Sequence, residues 1–377
     1  MKKGLMYVLF TALSIFFSSS IVSAAPAAPH PMEYQQPSGE TFTATLHGDE
    51  WFNWVTAETG EVIVKGDDHF WYYAITRGDE LKASNSRYLI HKKPQKTITN
   101  RDVTKIARQP TSKSRIKAKA IDPRFNMKHS QYINLGSNLL VLLVQFADTK
   151  IKYTDAQWNQ QTFGSTGKSV RKYYEEVSNE TYTLRPAQEN YGTANDGIIK
   201  VTLPYTHPNT AGNSSDMNGV IVSDALYAAN KYIDLSKFDQ NKDRKVTSDE
   251  LHLMTIVAGY EASYGAKSPS VWGHQYWIKE MVLDDVSLGN QGYISYTQFG
   301  ELHGSSQYND DHMATIGIIA HEFGHELGLP DLYDTDHSSM GVGPHSLMAD
   351  NWSLLPNEYA GATPPHLDPW SKWVRLP

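Results

Sequence analysis

Cysteine is absent from all 377 residues. The chain therefore has no disulfides, no thiolate metal ligands and no thiol nucleophile, and any metal must be held by nitrogen and oxygen. A Gly-x-Ser-x-Gly elbow, a phosphate-binding loop and a dinucleotide fingerprint are also missing, which leaves serine-hydrolase and nucleotide-enzyme readings without support. The apolar run from Leu5 to Phe17 is about 13 residues long, short of the roughly 20 that span a bilayer. No second run is long enough, so stable membrane insertion is not expected. Positive charge is not in excess either: the net charge is -7 and the pI near 6.1, giving no global attraction to nucleic acid.

The composition that remains, 40% hydrophobic and 20% charged, is that of a folded globular protein of one large or two moderate domains. Residues 1–24 read as a secretory signal: Lys2 and Lys3, the apolar run, then Val22-Ser23-Ala24 with small residues suited to signal peptidase. This predicts a mature chain starting near Ala25 and an extracellular protein. Residues 25–122 read as a second unit. From Thr41 to Leu89 the pattern is aromatic-rich and turn-punctuated, as in EVIVKGDDHFWYYAI, and predicts a small β-rich domain. Between Ile90 and Ala120 ten Lys or Arg face one acid, Asp102, which reads as an exposed basic linker. Behind a signal peptide such a linker suits a processing protease cutting after Arg108, Arg115, Lys117 or Lys119.

In residues 123–377 the periodicity is mixed. NLLVLLVQF (138–146) predicts a strand buried on both faces, SVRKYYEEVSN (169–179) and Met217 to Tyr232 predict helices, and GIIKVTLPY and GYISYTQF predict strands. The fold class is therefore α+β, a mixed twisted sheet with helices.

The chemistry concentrates in HEFGHELGLPD (321–331). A helix is expected from Asp310 to Leu327, opened by acidic residues and carrying a buried stripe of Ile316, Ala320, Phe323 and Leu327. Gly328 is placed to stop it in a left-handed turn and Pro330 to prevent its resuming. His321 and His325 then project one turn apart from one face and can reach a single ion. Asp331, after the turn, can supply a third ligand, with Asp334 a rival. Three protein ligands leave one position of a tetrahedral zinc for water, as in catalytic rather than structural sites. Glu322 stands beside a ligand without being needed as one and suits a general base and acid for peptide hydrolysis. Met348, in HSLMADNW, lies where one group of zinc peptidases has a methionine turn.

A second metal candidate is FDQNKDRKVTSDEL, which offers Asp239, Asn241, Asp243, the Lys245 carbonyl, Thr247 and Glu250 at the spacing of an EF-hand-like calcium loop. Against calcium, Arg244 stands where glycine makes the sharp turn, and Lys242 and Lys245 add positive charge. His274, His303, His312 and His345 read as surface or interior histidines rather than ligands. One of His345, Tyr333 or Tyr359 is the candidate to steady a substrate oxyanion. The NET, NSS and NWS sequons are set aside for a bacterial chain.

HEFGHELGLPDLYDT together with SLMADNW resembles the immune inhibitor A family of secreted bacterial zinc metallopeptidases, within the metzincin-like group. VLLVQFAD, SVRKYYEEVSNETYTL, AGYEAS and WGHQYW extend the resemblance over most of residues 138–377. It implies a zincin-like catalytic domain, zinc on His321, His325 and Asp331, Glu322 as general base and acid, a methionine turn at Met348, bound calcium, and protein or peptide substrates. HGDEWFNWVTAETGEVIV looks like the family's amino-terminal propeptide, which makes the chain a latent precursor. Family members also run on into a β-rich region past the point where this sequence ends, Pro377. The reading of a different class is a metal-bearing binding or adhesive surface protein without catalysis, against which the intact Glu322 argues.

Overall fold

The computed structural model describes residues 23–49, 52–78, 80–107, 136–210, 217–265, 267–304, 311–334, 339 and 341–376. The signal residues 1–22 and the proposed cleavage residues Arg108, Arg115, Lys117 and Lys119 lie outside them. The architecture is α+β, with a mixed sheet and a β-rich amino-terminal region.

The apolar run at 138–146 explains the large sheet. Strand Ser137–Gln145 places Leu139, Val141 and Leu143 in one core and Leu140, Leu142 and Val144 in another, so period-two alternation buries every one of these side chains. Ile198–Thr202 and His252–Glu261 flank it in parallel, and Val286–His303 continues in parallel beyond His252–Glu261. His274–Leu283 then pairs antiparallel with Val286–His303. The short strand Ser23–Ala24 adds to it, again antiparallel, as Ser23↔Gln275 and Ala24↔His274. Helix Met217–Ala229 packs into the core on one face; helices Val170–Val177 and Ile316–Glu326 pack on the other.

Residues 32–87 form a separate six-stranded antiparallel meander. Its core, built on Met32, Tyr34, Phe42, Trp71 and Tyr88, also includes Ala262 and Trp272 from the large domain. The two units therefore share apolar burial at one rim of the large sheet.

Two expectations are corrected. The basic linker is not wholly exposed: Asn100–Ala107 is a helix whose Val103 is fully buried against Trp54, Val62 and Ala74. The Val62 N–H donates to the Ile98 carbonyl at 2.8 Å and the Trp54 indole N–H to Asn100 Oδ1 at 2.8 Å. Charge density hid this because two apolar side chains, Ile98 and Val103, suffice to dock a short amphipathic helix. The second correction is the start of the 310–327 helix. It begins at Ile316 with Thr315 as N-cap, and its acidic forerunner Asp311 instead pairs with Lys267 and accepts from the Tyr260 hydroxyl at 2.6 Å. The first-turn donors need no acidic cap because the Gly317 N–H donates to the Gly361 carbonyl at 2.8 Å. A Cβ on Gly317 would lie 2.1 Å from the Asn351 carbonyl, so only glycine permits this approach.

The helix ends where Gly328 was expected to stop it. With φ at +85°, Gly328 donates to the His325 carbonyl at 2.8 Å and Leu329 to the Gly324 carbonyl at 2.9 Å, the two bonds of a Schellman turn.

Candidate metal centre and catalytic cleft

The helix places His321 and His325 on one face, and the Schellman turn returns Asp331 to them. His321 Nε2 lies 3.0 Å from His325 Nε2 and 3.3 Å from Asp331 Oδ1, and His325 Nε2 lies 3.1 Å from the same oxygen. Two ligands on a tetrahedral zinc, each at 2.0–2.1 Å, stand about 3.3 Å apart. The triangle therefore has close to the size of one face of a zinc tetrahedron.

The tautomers favour a cation at its centre. His321 Nδ1 sits 3.0 Å from the Leu347 carbonyl and His325 Nδ1 2.7 Å from the Leu329 carbonyl. A carbonyl only accepts, so both Nδ1 atoms carry their hydrogen and both Nε2 atoms of the neutral rings present lone pairs. Two lone pairs and a carboxylate oxygen converging within 3.3 Å repel one another until positive charge sits among them. Among the described residues, no other three His, Asp or Glu groups gather their ligand atoms so closely.

Electrostatics agree. Burial alone would raise the Asp331 carboxyl, but the imidazoles of His325 and His321 outweigh it and hold it at about 2. Burial pushes His321 down, toward the neutral ring that a metal ligand requires. Glu322 is fully buried, and its carboxyl is raised well above the ordinary range, first by burial and then by the charges of Asp331 and Glu261. Neither oxygen of Glu322 has a hydrogen-bond partner among the described residues. The backbone N–H groups of Ala25 and Gln275 face it and oppose the shift without reaching hydrogen-bond geometry. A buried carboxylate left unpaired is costly and is kept where chemistry uses it.

Residues 347 and 348 support both halves of the triad. The Leu347 carbonyl orients His321, and the Met348 carbonyl accepts from the Leu332 N–H at 2.8 Å, tying down the turn that carries Asp331. The Met348 sulfur lies 2.7 Å from where a Cβ on Gly324 would stand, so that glycine seats the methionine beneath the helix between the two histidines.

Asp334 is not part of the cluster; its Oδ2 accepts from Ser339 N at 2.7 Å and Ser339 Oγ at 2.9 Å. His274 is buried between the Trp272 carbonyl at 2.7 Å and the Tyr296 hydroxyl at 3.2 Å, and burial drives it down to about 4. His303 stacks on Tyr264 and His312 on Tyr359, while His345 is exposed. In the 239–250 loop, Asp239 accepts from the Asp243 and Arg244 N–H groups, Asp243 from Lys245 N, and Glu250 from Gln240 N and Thr247 N. Arg244 takes the left-handed conformation, φ +64°, that the glycine of such loops usually supplies.

Sequence reasoning missed the cleft's occupant. Ala25 and Ala28 are fully buried, in the core that holds Ala320, Phe323 and Met348. The Trp272 indole N–H donates to the Ala25 carbonyl at 2.8 Å and the Trp352 indole N–H to the Pro26 carbonyl at 2.6 Å. AAPAAP carries no periodicity, so nothing in the sequence pointed to this packing.

The family model described as the immune inhibitor A peptidase M6 catalytic domain matches residues 136–373, which contain the whole triad, Glu322 and Met348. The chain belongs to that family. Membership in the immune inhibitor A family implies a bound metal, and the His321, His325 and Asp331 donors fit one. Residues of this chain are 27% identical over 276 positions to Immune inhibitor A of Bacillus thuringiensis subsp. alesti, covering 62% of this chain and 39% of that one. They are 27% identical over 223 positions to the pre-pro-metalloprotease PrtV of Vibrio cholerae serotype O1 strain M66-2, covering 54% and 23%. The matched region is thus less than half the length of either relative. No solved structure matches the chain.

Proposed function

We propose that this protein is a secreted zinc endopeptidase of zincin-like fold, made as a latent precursor, that hydrolyses extracellular proteins. The observation that carries the reading is the 3.0–3.3 Å triangle of His321, His325 and Asp331 beside the unpaired, buried Glu322. A zinc ion held by those three residues would act as a Lewis acid and would lower the pKa of a water molecule to about 7. Glu322 takes a proton from the attacking water and returns it to the departing amide nitrogen. Burial, which makes its carboxyl hold a proton more tightly, suits the second half of that task. Strand His274–Leu283 receives the substrate backbone as an added antiparallel strand, at the edge that Ser23–Ala24 occupies until the signal is removed.

Latency follows from the contacts that remain once the signal is removed: residues 25–28 lie against Gly273, Ser263, Trp272 and Trp352, and the 32–87 meander anchors them through Ala262 and Trp272. The name pre-pro-metalloprotease borne by one relative denotes a precursor of this kind. Cleavage after Arg108, Arg115, Lys117 or Lys119 by a processing protease would free the catalytic unit. None of the helices among the described residues is long and apolar enough to cross a membrane.

Digestion of casein by the processed protein is the direct test. Activity lost on chelation and recovered with zinc is expected; a protein that rebinds zinc and still cuts nothing would instead be a metal-bearing binder.

Calcium on the 239–250 loop is part of the proposal. Its support is the left-handed Arg244 and the spacing in the sequence of Asp239, Asn241, Asp243, the Lys245 carbonyl, Thr247 and Glu250. Calcium is expected to raise the melting temperature of the parent and to leave Asp239→Ala unmoved; equal increments in both would remove calcium from the loop.

A further inference from the structure

Glu261 ends the strand His252–Glu261, is 1% exposed and has no part in the chemistry described above. Its two oxygens are fully engaged. Oε1 accepts from the Ser263 N–H at 3.0 Å, the Ser263 hydroxyl at 2.7 Å and the Gly273 N–H at 2.8 Å; Oε2 accepts from the Gly300 N–H at 2.8 Å. Gly273 and Ser263 are the two residues whose carbonyls grip the segment in the cleft. The Ala25 N–H donates to the Gly273 carbonyl at 3.3 Å and the Ala28 N–H to the Ser263 carbonyl at 2.7 Å. One carboxylate oxygen thus holds the N–H of each of the two residues whose own carbonyls receive the occupant's backbone, at positions three residues apart. Between them, the Trp272 indole takes the Ala25 carbonyl, so donors and acceptors alternate along the bound strand as an extended peptide requires.

We propose that Glu261 is the positioning residue of the peptide-binding cleft, locking the Gly273 and Ser263 carbonyls as a pair of backbone acceptors for whichever extended peptide lies there, the amino-terminal segment in the precursor and the substrate after its removal. The inference rests on the peptidase reading for its second occupant only. The grip is independent of side-chain identity, since it reads backbone N–H groups. The fully buried Ala25 and Ala28 methyls add that two positions of the bound strand face walls that leave room for a small side chain. A Cβ on Gly273 would lie 2.5 Å from Ile318 Cδ1 on the active-site helix, so a side chain there would force Ile318 to move. The loop carrying the acceptors is therefore pressed against the helix carrying the ligands, and Glu261 holds it in register.

Glu261→Gln tests this, because an amide offers one acceptor oxygen and turns an N–H₂ group toward either Gly300 or the Ser263 and Gly273 donors. In the full chain, hydrogen exchange of the Ala28 amide, which the Ser263 carbonyl holds, is expected to quicken about tenfold while the Ala27 amide on the Gly48 carbonyl, helix Ile316–Glu326 and zinc content stay at parent values. After cleavage of the linker, KM for a peptide substrate should rise about fivefold, by more than kcat changes, the split that separates backbone holding from the effect of Glu261's charge on the reacting groups. Unchanged exchange at Ala28, or a fall in kcat at constant KM, overturns the assignment. Should Glu261→Gln not fold, Ser263→Ala decides: removing only the hydroxyl donor should quicken the same exchange about threefold, and no change overturns the proposal. The exchange arm needs no hydrolysis, so a chain that proves not to be a peptidase would fail the casein test and still reveal whether Glu261 holds the segment.

Discussion

Glu322→Gln should abolish casein digestion by the processed protein while leaving its zinc content equal to the parent's. The amide keeps the size of the carboxyl and removes its ability to accept the water proton, a loss on the order of 10²–10⁴ in rate for a positioned general base. Zinc is spared because Glu322 is not among the atoms of the 3.0–3.3 Å triangle, whose orientation depends on the Leu347 and Leu329 carbonyls. Stability gives a second, independent sign. The parent carboxyl is buried without a hydrogen-bond partner among the described residues and faces the charges of Asp331 and Glu261, so neutralising it should leave the precursor at least as stable as before. Metal analysis, casein digestion and urea unfolding on one preparation read all three. Digestion retained by the Glu322→Gln protein would remove the residue from the mechanism; lost zinc would show that the substitution had reached the ligands.

The second large effect is activation. The full chain should digest casein on the order of a hundredfold more slowly than the protein freed of residues 25–107, because a tethered occupant competes at a millimolar effective concentration. Cutting the linker alone should release only part of this activity. The meander shares the core of Met32, Trp71, Ala262 and Trp272, and the occupant is held by the Gly273 and Ser263 carbonyls and two indole N–H groups, so the severed unit stays docked until diluted or digested. Rates measured for intact, nicked and separated preparations should rise in that order. Equal rates for intact and separated protein would show that the segment at 25–28 does not block the cleft.

Much of the site was legible from residues 321–331 because its logic is local. His321 and His325 share a face through the helical repeat, and Gly328 ends the helix through backbone freedom, so both are decided within a few residues of themselves. The doubly buried strand at Ser137–Gln145 was legible for the same reason: a nearly unbroken apolar run leaves only one environment open to it. Illegible parts depend on distant partners. Asp331 and Asp334 follow the same turn with the same chemistry, and what separates them is the Leu332 N–H bonded to Met348. Asp311 looks like a helix opener, yet the Gly361 carbonyl satisfies that end of the helix and Lys267 takes the aspartate.

By itself, then, the sequence determined the chemistry this chain can hold: two nitrogens and a carboxylate for a metal, a glutamate beside them, no thiol, and alternating apolar residues to bury a sheet. Tertiary structure alone decided what that chemistry faces. Ala25 meets Gly273 and Trp272 across roughly two-thirds of the chain, and Glu261 accepts from the N–H groups of both Ser263 and Gly273 only because a strand end, a loop and an edge strand converge. The physical reason is range: propensity and periodicity act over one or two turns of backbone, whereas the cleft, its occupant and the carboxylate that holds it are made by hydrogen bonds and packing between segments that meet only once the sheet has formed.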